Sequence, residues 1–320
     1  MKYLSRRILH STLLLLGISF LSFALLQMAP GDYFDAIRLN PQISAQTIKG
    51  IRSEYGMDRP LPVRYELWLR SAIRGEFGFS FAYAGPVGPL LWARARNTLL
   101  LTGTATLLAW ALAIPIGIWS ASKRGEWSDR VFGLITSTLL TIPELLFVLC
   151  LLLLAVRTSW FPAGGMISPG ASEAGLWSKA RDVFYHLVLP GVGLALVTMP
   201  TLVRHVRSAM IEALDAPFVR AARGHGIPRV RLLFRYALPV AANPLISLMG
   251  LSIGAMVSAS LLVEVILSWP GLGPLMVEAI LARDVYVVIG VVMLSSVFLI
   301  AGNLLADLLL FASDPRIRVE

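Results

Sequence analysis

Apolar residues fall in blocks of about twenty, separated by polar segments rich in arginine, glycine and proline. The blocks are residues 8–29, 97–119, 131–156, 183–203, 244–266 and 285–311. A helix rises about 1.5 Å per residue, so each block can cross a hydrocarbon layer of about 30 Å. The pattern predicts an all-α membrane protein with six transmembrane helices. Lys2, Arg6 and Arg7 precede the first block, as they would in a secretion signal. Its apolar run is longer than a signal core, and its exit, Gln27-Met28-Ala29-Pro30-Gly31-Asp32, has no Ala-x-Ala site. It reads as a retained anchor.

The expected organisation is an N-terminal helix (1–29), a long loop (30–96), a five-helix core (97–311) and a short tail (312–320). With the N-terminus inside, the short inner segments carry 15 Lys and Arg in 67 positions, against 4 in 44 for the short outer loops. That imbalance places both termini in the cytoplasm. Loop 30–96 then lies outside. Within it, Tyr65, Trp68, Leu69 and Ala72 follow the i, i+3, i+4, i+7 spacing of an amphipathic helix. The following Gly75, Phe77, Gly78, Phe79, Phe81 and Tyr83 alternate aromatic and small residues, a strand-like or interfacial pattern.

The inner segment 204–243 carries most of the functional signal. Asp215 and Ala216 precede Pro217, which favours a helix start. Phe218, Ala221 and Ala222 share one expected face, while Arg220 and Arg223 lie toward another. Gly224 and Gly226 end the helix, and Pro228 opens the next segment. Such a helix could rest on lipid headgroups or act as a knob for a cytoplasmic partner.

Composition narrows the chemistry. Apolar residues make up 56% and charged residues 15%, which excludes a disordered chain and argues against a soluble enzyme. The net charge of +9 is loop charge on a membrane protein, because no basic stripe is interleaved with stacking aromatics. Cys150 is the sole cysteine, so neither an internal disulfide nor a cysteine zinc cluster is available. None of the four lysines has a phosphate-cradling Gly-x4-Gly-Lys-Ser/Thr context, so ATP hydrolysis by that route is excluded. The histidines 10, 186, 205 and 225 form no metalloprotease pair. The acidic residues inside the spans are Glu144, Glu264 and Asp307. Structural pairing or interfacial placement is the first reading of each.

The segment Arg220-Ala221-Ala222, Gly226, Tyr236, Leu238 and Pro239 resembles the Glu-Ala-Ala-x3-Gly-x9-Ile-x-Leu-Pro signature of ABC-importer inner-membrane permeases. Arg220 replaces Glu and Tyr236 replaces Ile. Phe218 through Gly226 is similar to the Tyr-Val-Arg-x-Ala-Arg-x-x-Gly loop of the dipeptide/oligopeptide branch. Further pieces resemble that branch in order: Ala29-Pro30-Gly31-Asp32, Gly56-Met57-Asp58-Arg59-Pro60-Leu61-Pro62 and Gly75-Glu76-Phe77-Gly78-Phe79-Ser80. Toward the C-terminus come Ser268-Trp269-Pro270-Gly271-Leu272-Gly273, Arg283-Asp284-x-Tyr286, Asn303, Asp307 and Asp314-Pro315-Arg316-Ile317-Arg318.

The resemblance implies a non-catalytic permease subunit of an ATP-driven, binding-protein-dependent importer in a bacterial or archaeal inner membrane. Its partners would be a second permease, two cytoplasmic ATPases holding ATP and Mg, and an external protein delivering di- or oligopeptides. Related systems carry nickel chelates, glutathione, antimicrobial peptides or sugars, and a secondary transporter is the remoter alternative. No cofactor, metal or nucleic acid is expected on this chain. ATPase coupling is assigned to Asp215, Phe218, Arg220, Ala221, Ala222, Arg223, Gly224, Gly226, Leu238 and Pro239. Arg220 and Arg223 pair with ATPase acids or simply serve topology; both readings stand. Trp269, Pro270, Gly271 and Gly273 read as a tight outer turn with an interfacial anchor, or as a gate or docking contact. Loop 30–96 is a packed cap, a docking surface or a flap.

Overall fold

A computed structural model describes residues 2–28, 33–34, 45–54, 56, 58–170 and 175–313. The motif stretches 29–32 and 314–318, and Met57, lie outside the described residues.

Helix α1 covers Lys2–Met28. It is followed by α2 (Ala45–Glu54) and α3 (Leu61–Ala72), the latter being the amphipathic helix expected around Trp68. Next comes a small hairpin in which β1 (Phe79–Ser80) pairs antiparallel with β2 (Gly85–Pro86). The alternation over 75–83 therefore yields only two residues of strand. Left-handed backbone at Gly75, Gly78 and Ala84 turns the chain before a longer ladder can form.

The remaining elements among the described residues are helical: α4 (Val87–Ser122), α5 (Trp127–Thr141), α6 (Glu144–Thr158), α7 (Leu176–Asp215), α8 (Pro217–Gly224) and α9 (Arg229–Arg231). A π-helical turn, Leu232–Ala237, leads into α10 (Leu238–Ile266), and α11 (Leu272–Leu281) and α12 (Val285–Ser313) complete the chain. Pro239 follows that wide turn, which accommodates a ring with no N–H to donate four residues back.

Among the described residues, five helices are long and apolar enough to cross a membrane: α1, α4, α7, the continuous Arg229–Ile266 helix and α12. The third expected span, 131–156, is not one helix. It is broken into α5 and α6, whose axes meet at 96°. Pro143 pushes Ile142 out of the helical region, to ψ 122°, and is itself extended at ψ 134°. Segment 204–243 is also more helical than a loop. Hydropathy marks the apolar layer, whereas arginine-rich sequence continues a helix without difficulty.

The chain forms two compact units, Met1–Asn97 with Pro270–Phe298, and Thr98–Trp269 with Leu299–Glu320. In the first, Phe23, Trp68 and Ile289 make a small core. Tyr65 fixes α3 to α1, its hydroxyl 2.8 Å from Ser19 Oγ, and Trp68 Nε1 donates to the Phe77 carbonyl at 3.1 Å. Buried Asp284 ties the hairpin to the start of α12: it accepts from Ser80 Oγ at 2.6 Å and from the Ala82 amide at 3.2 Å. A Cβ at Gly78 (φ +104°) would lie 3.0 Å from the Tyr286 ring, so glycine allows this approach. Here the Gly75–Ser80 and Arg283–Tyr286 motifs meet.

In the second unit, Ala105, Ala109 and Ala113 form a fully buried small-residue stripe on α4. Gly117 continues it; a Cβ there would lie 2.6 Å from Val206 on α7. Trp110 Nε1 donates to Ser252 Oγ at 3.0 Å inside the core. Helices α10 and α12 meet through Gly250 and Gly254 against Gly302, Ala306 and Leu299. This is the small-residue spacing that lets membrane helices approach closely. A Cβ on Gly250 would lie 2.1 Å from Ala306 Cβ. Gly250→Val is therefore expected to cost about 1–3 kcal/mol by overpacking. The check is a lowered midpoint of thermal unfolding in detergent; an unchanged midpoint would contradict this close contact.

Candidate functional site

The end of α7 builds the site upward from sequence. Ala216 is extended (φ −62°, ψ 141°), as a residue before proline prefers, and Pro217 then starts α8. The result is an eight-residue helix set off from α7 by one residue. It ends at Gly224, and Gly226 takes the left-handed conformation (φ +77°) that releases the chain toward Pro228.

One residue holds α8 down. Val219 is fully buried, and the helix packs on α7 and on the π turn. Its other side chains are exposed or half-buried, small and cationic alike. Phe218, Arg220, Ala221, Arg223 and Gly224 are all exposed, and Ala222 is half-buried. Eight residues give barely two turns, so a single buried side chain is enough to orient the whole helix. Leu238 is half-buried and Pro239 exposed, at the first turn of α10. Asp215 accepts from Arg124 Nη1 at 3.1 Å. The two flank a cleft of about 430 Å³ that also takes in Ile211, Arg223, Arg229 and Leu232.

Behind α8 lies a charged clamp that the sequence reading did not single out. Arg207 on α7 grips Asp129 with two parallel bonds, Nε to Oδ1 at 2.7 Å and Nη2 to Oδ2 at 2.8 Å. Ser120 Oγ at the end of α4 donates to Asp129 Oδ1 at 2.5 Å, and the Gly125 amide donates to Oδ2 at 3.0 Å. The Asp129 side chain is 8% exposed and that of Arg207 35%. One carboxylate thus joins the end of α4 and the start of α5 to α7. Asp129 in the first turn of α5, where a helix favours an acid, was the available signal.

At the other end of α10, the expected interfacial anchor is a core residue. Ser268 turns left-handed (φ +50°), the Trp269 amide donates to the Glu264 carbonyl at 2.8 Å, and the Trp269 side chain is fully buried. Glu264 is likewise fully buried rather than snorkelling. Loop backbone reaches this turn, with the Gly165 amide donating to the Leu267 carbonyl at 3.3 Å. In the other unit, Pro270 O accepts from Asn97 Nδ2 at 2.8 Å, and Gly271 and Gly273 are buried at the start of α11. Further along, Tyr83 donates its hydroxyl to Glu278. Burial first, then this bond, pushes the Tyr83 phenol up to about 12.

No group of three or more potential metal ligands occurs among the described residues.

Comparison with known proteins follows the same lines. Residues 113–319 match the model of the binding-protein-dependent transport system inner membrane component, and residues 1–97 match that of its N-terminal region. An oligopeptide transport system permease protein, AppB of Bacillus subtilis, is 37% identical over 98% of both chains. OppB of Mycobacterium tuberculosis is 32% identical over 100% of this chain and 99% of that one. The dipeptide transport system permease protein DppB of Escherichia coli is 30% identical over 95% and 94%. Among solved structures, the inward-facing MetNI methionine ABC transporter shares the fold at a TM-score of 0.58 and 16% identity, covering 70% of this chain and 96% of that one. With two family models and near-full-length relatives agreeing, the chain belongs to the binding-protein-dependent permeases, the inner-membrane components of ABC importers, in their dipeptide/oligopeptide branch.

Proposed function

We propose that this chain is one of two membrane subunits forming the translocation pathway of an ATP-driven importer for di- or oligopeptides. Both termini and α8 face the cytoplasm, where α8 docks on an ATPase subunit. ATP and Mg are held by two such ATPases, and this chain performs no catalysis. A binding protein delivers peptide on the opposite side, against loop 30–96 and the neighbourhood of α11. Because Trp269, Gly271 and Gly273 are buried, they act by shaping that surface rather than by touching the binding protein.

The observation that carries this reading is the geometry of α8. It is a short helix anchored by Val219, with Phe218, Arg220, Ala221 and Arg223 exposed together. Asp215, Gly224, Gly226, Leu238 and Pro239 position it. The peptide names of relatives at 30–37% identity support the substrate class. Mild-detergent pull-down of tagged chain from its native membrane tests the whole. The expected result is a second permease and ATPase activity in the eluate. Recovery of the chain alone, stable and without ATPase activity, would favour a gradient-driven transporter instead.

A further inference from the structure

The break between α5 and α6 places a half-buried carboxylate, Glu144, near the middle of the apolar run 131–156. Leu196 and Val197 of α7 face the break, and they lie near the centre of the apolar run 183–203. A cavity of about 280 Å³ opens at that depth, walled by Ile142, Pro143, Phe147, Leu196 and Val197 around Glu144. Glu144 is the one ionisable group among the described residues of the wall. Its Oε1 is buried and has no hydrogen-bond partner among the described residues. The nearby Phe147 amide is engaged by the Pro143 carbonyl at 3.0 Å. The expected structural pairing of Glu144 is therefore not seen at this oxygen among the described residues.

A carboxylate oxygen buried among apolar groups is costly unless something pairs with it. Irregular backbone at membrane depth is tolerated where it lines a cavity, and the break at Ile142 and Pro143 does so. An unsatisfied acceptor, an apolar wall and room for a small group together describe a receptor for an organic cation. Phe147 lies three residues after Glu144, on the same side of α6. A ring beside a carboxylate favours an ammonium group over a neutral amide.

We propose that Glu144 is the cation-accepting group of a substrate subsite at this break, taking the ammonium of a peptide, at its N-terminus or on a lysine side chain. The proposal rests on the peptide-import reading above. Glu144 Oε1 accepts a hydrogen bond from the ammonium, Phe147 offers its ring to the same charge, and Ile142, Leu196 and Val197 receive the adjoining aliphatic part. The cation enters from the water-filled pathway as the transporter changes state and leaves with the peptide.

The test is ATP-driven uptake by the complete transporter in proteoliposomes, with trialanine and Ala-Lys-Ala as probes at limiting concentration. Glu144→Gln is expected to lower uptake about tenfold, the scale of one charge-assisted hydrogen bond. Glu144→Asp is expected to restore most of it. Equal losses for both peptides assign the N-terminal ammonium; a loss confined to Ala-Lys-Ala assigns the side chain. Wild-type uptake of both peptides by Glu144→Gln would overturn the subsite. So would better transport by Glu144→Gln than by Glu144→Asp, because Gln keeps the volume and Asp keeps the charge. Phe147→Leu, which retains an apolar filling, is expected to lower uptake about threefold through loss of the ring. It serves as the second variant if Glu144→Gln does not assemble, and unchanged uptake in it would then count against the site. Failure of the wild-type complex to transport either peptide is a different result: it overturns the peptide reading before any substitution is considered.

Discussion

Tryptophan in place of Ala221 should reduce ATP-driven uptake about thirtyfold or more, the scale of losing a central interface contact, while the complex still assembles in the membrane. The expectation follows from where Ala221 sits. It is exposed on α8, beside Phe218 and one turn before Gly224. An added Cβ at Gly224 meets nothing within 4 Å, so this side of the helix has open space before any partner arrives. A large side chain here therefore disturbs docking and not the chain's own packing. Ala222 is half-buried and Gly226 has φ +77°, so bulky residues there should also uncouple transport but with added strain inside the subunit. Val219→Asp is the contrasting case. It puts a charge at a fully buried position and should detach α8 altogether. Peptide uptake measured beside recovery of the ATPases separates the two effects. Normal uptake in Ala221→Trp would remove α8 from the coupling role.

The second large effect is expected at the clamp. Asp129→Asn keeps the shape of the side chain but leaves Arg207 facing a neutral amide. Breaking a well-buried ion pair costs about 3–5 kcal/mol. Arg207 is about a third exposed, so water recovers part of that, and a loss of about 2–3 kcal/mol is the expectation here. Arg207→Gln should cost a similar amount. The double variant should lose clearly less than the sum of the two, because each single change already removes the same pair. Thermal unfolding of the purified complex measures all three, and strict additivity would show that the pair contributes nothing. The clamp lies eight residues before Asp215, a distance of about 12 Å along α7. Loosening it should also blunt the transmission of movement from α8 to α4 and α5, read as ATP hydrolysed per peptide imported.

Much of this protein is written in one dimension. An apolar run of about twenty residues has few alternatives to a spanning helix, because its backbone groups must be satisfied within the segment. The start of α8 was legible for the same local reason: Pro217 presets the helical φ and excludes its predecessor from the helix, while Gly226 tolerates the left-handed exit. The ordered motifs identified the family because each records a local backbone or interface requirement along almost the whole chain.

Other features depended on which surfaces meet. Hydropathy passes smoothly through Thr141, Ile142 and Pro143, so it showed one span where the backbone bends by 96°. Trp269 has the flanking glycines and proline of an exposed turn, yet the left-handed Ser268 carries its side chain into the core. Phe218 is the larger apolar residue on α8, but Val219 is the one that finds a pocket. Asp129 and Arg207 are 78 residues apart, and neither their pairing nor the lack of a partner for Glu144 Oε1 among the described residues has any local signature. Periodicity and turn chemistry are properties of a segment and its solvent, so the sequence by itself determined where the apolar helices lie, the start and exit of α8, and the family. Burial and ion pairing are properties of two segments at once, so only the tertiary structure decided which side chain anchors α8, which charges are clamped and which carboxylate oxygen lacks a partner among the described residues.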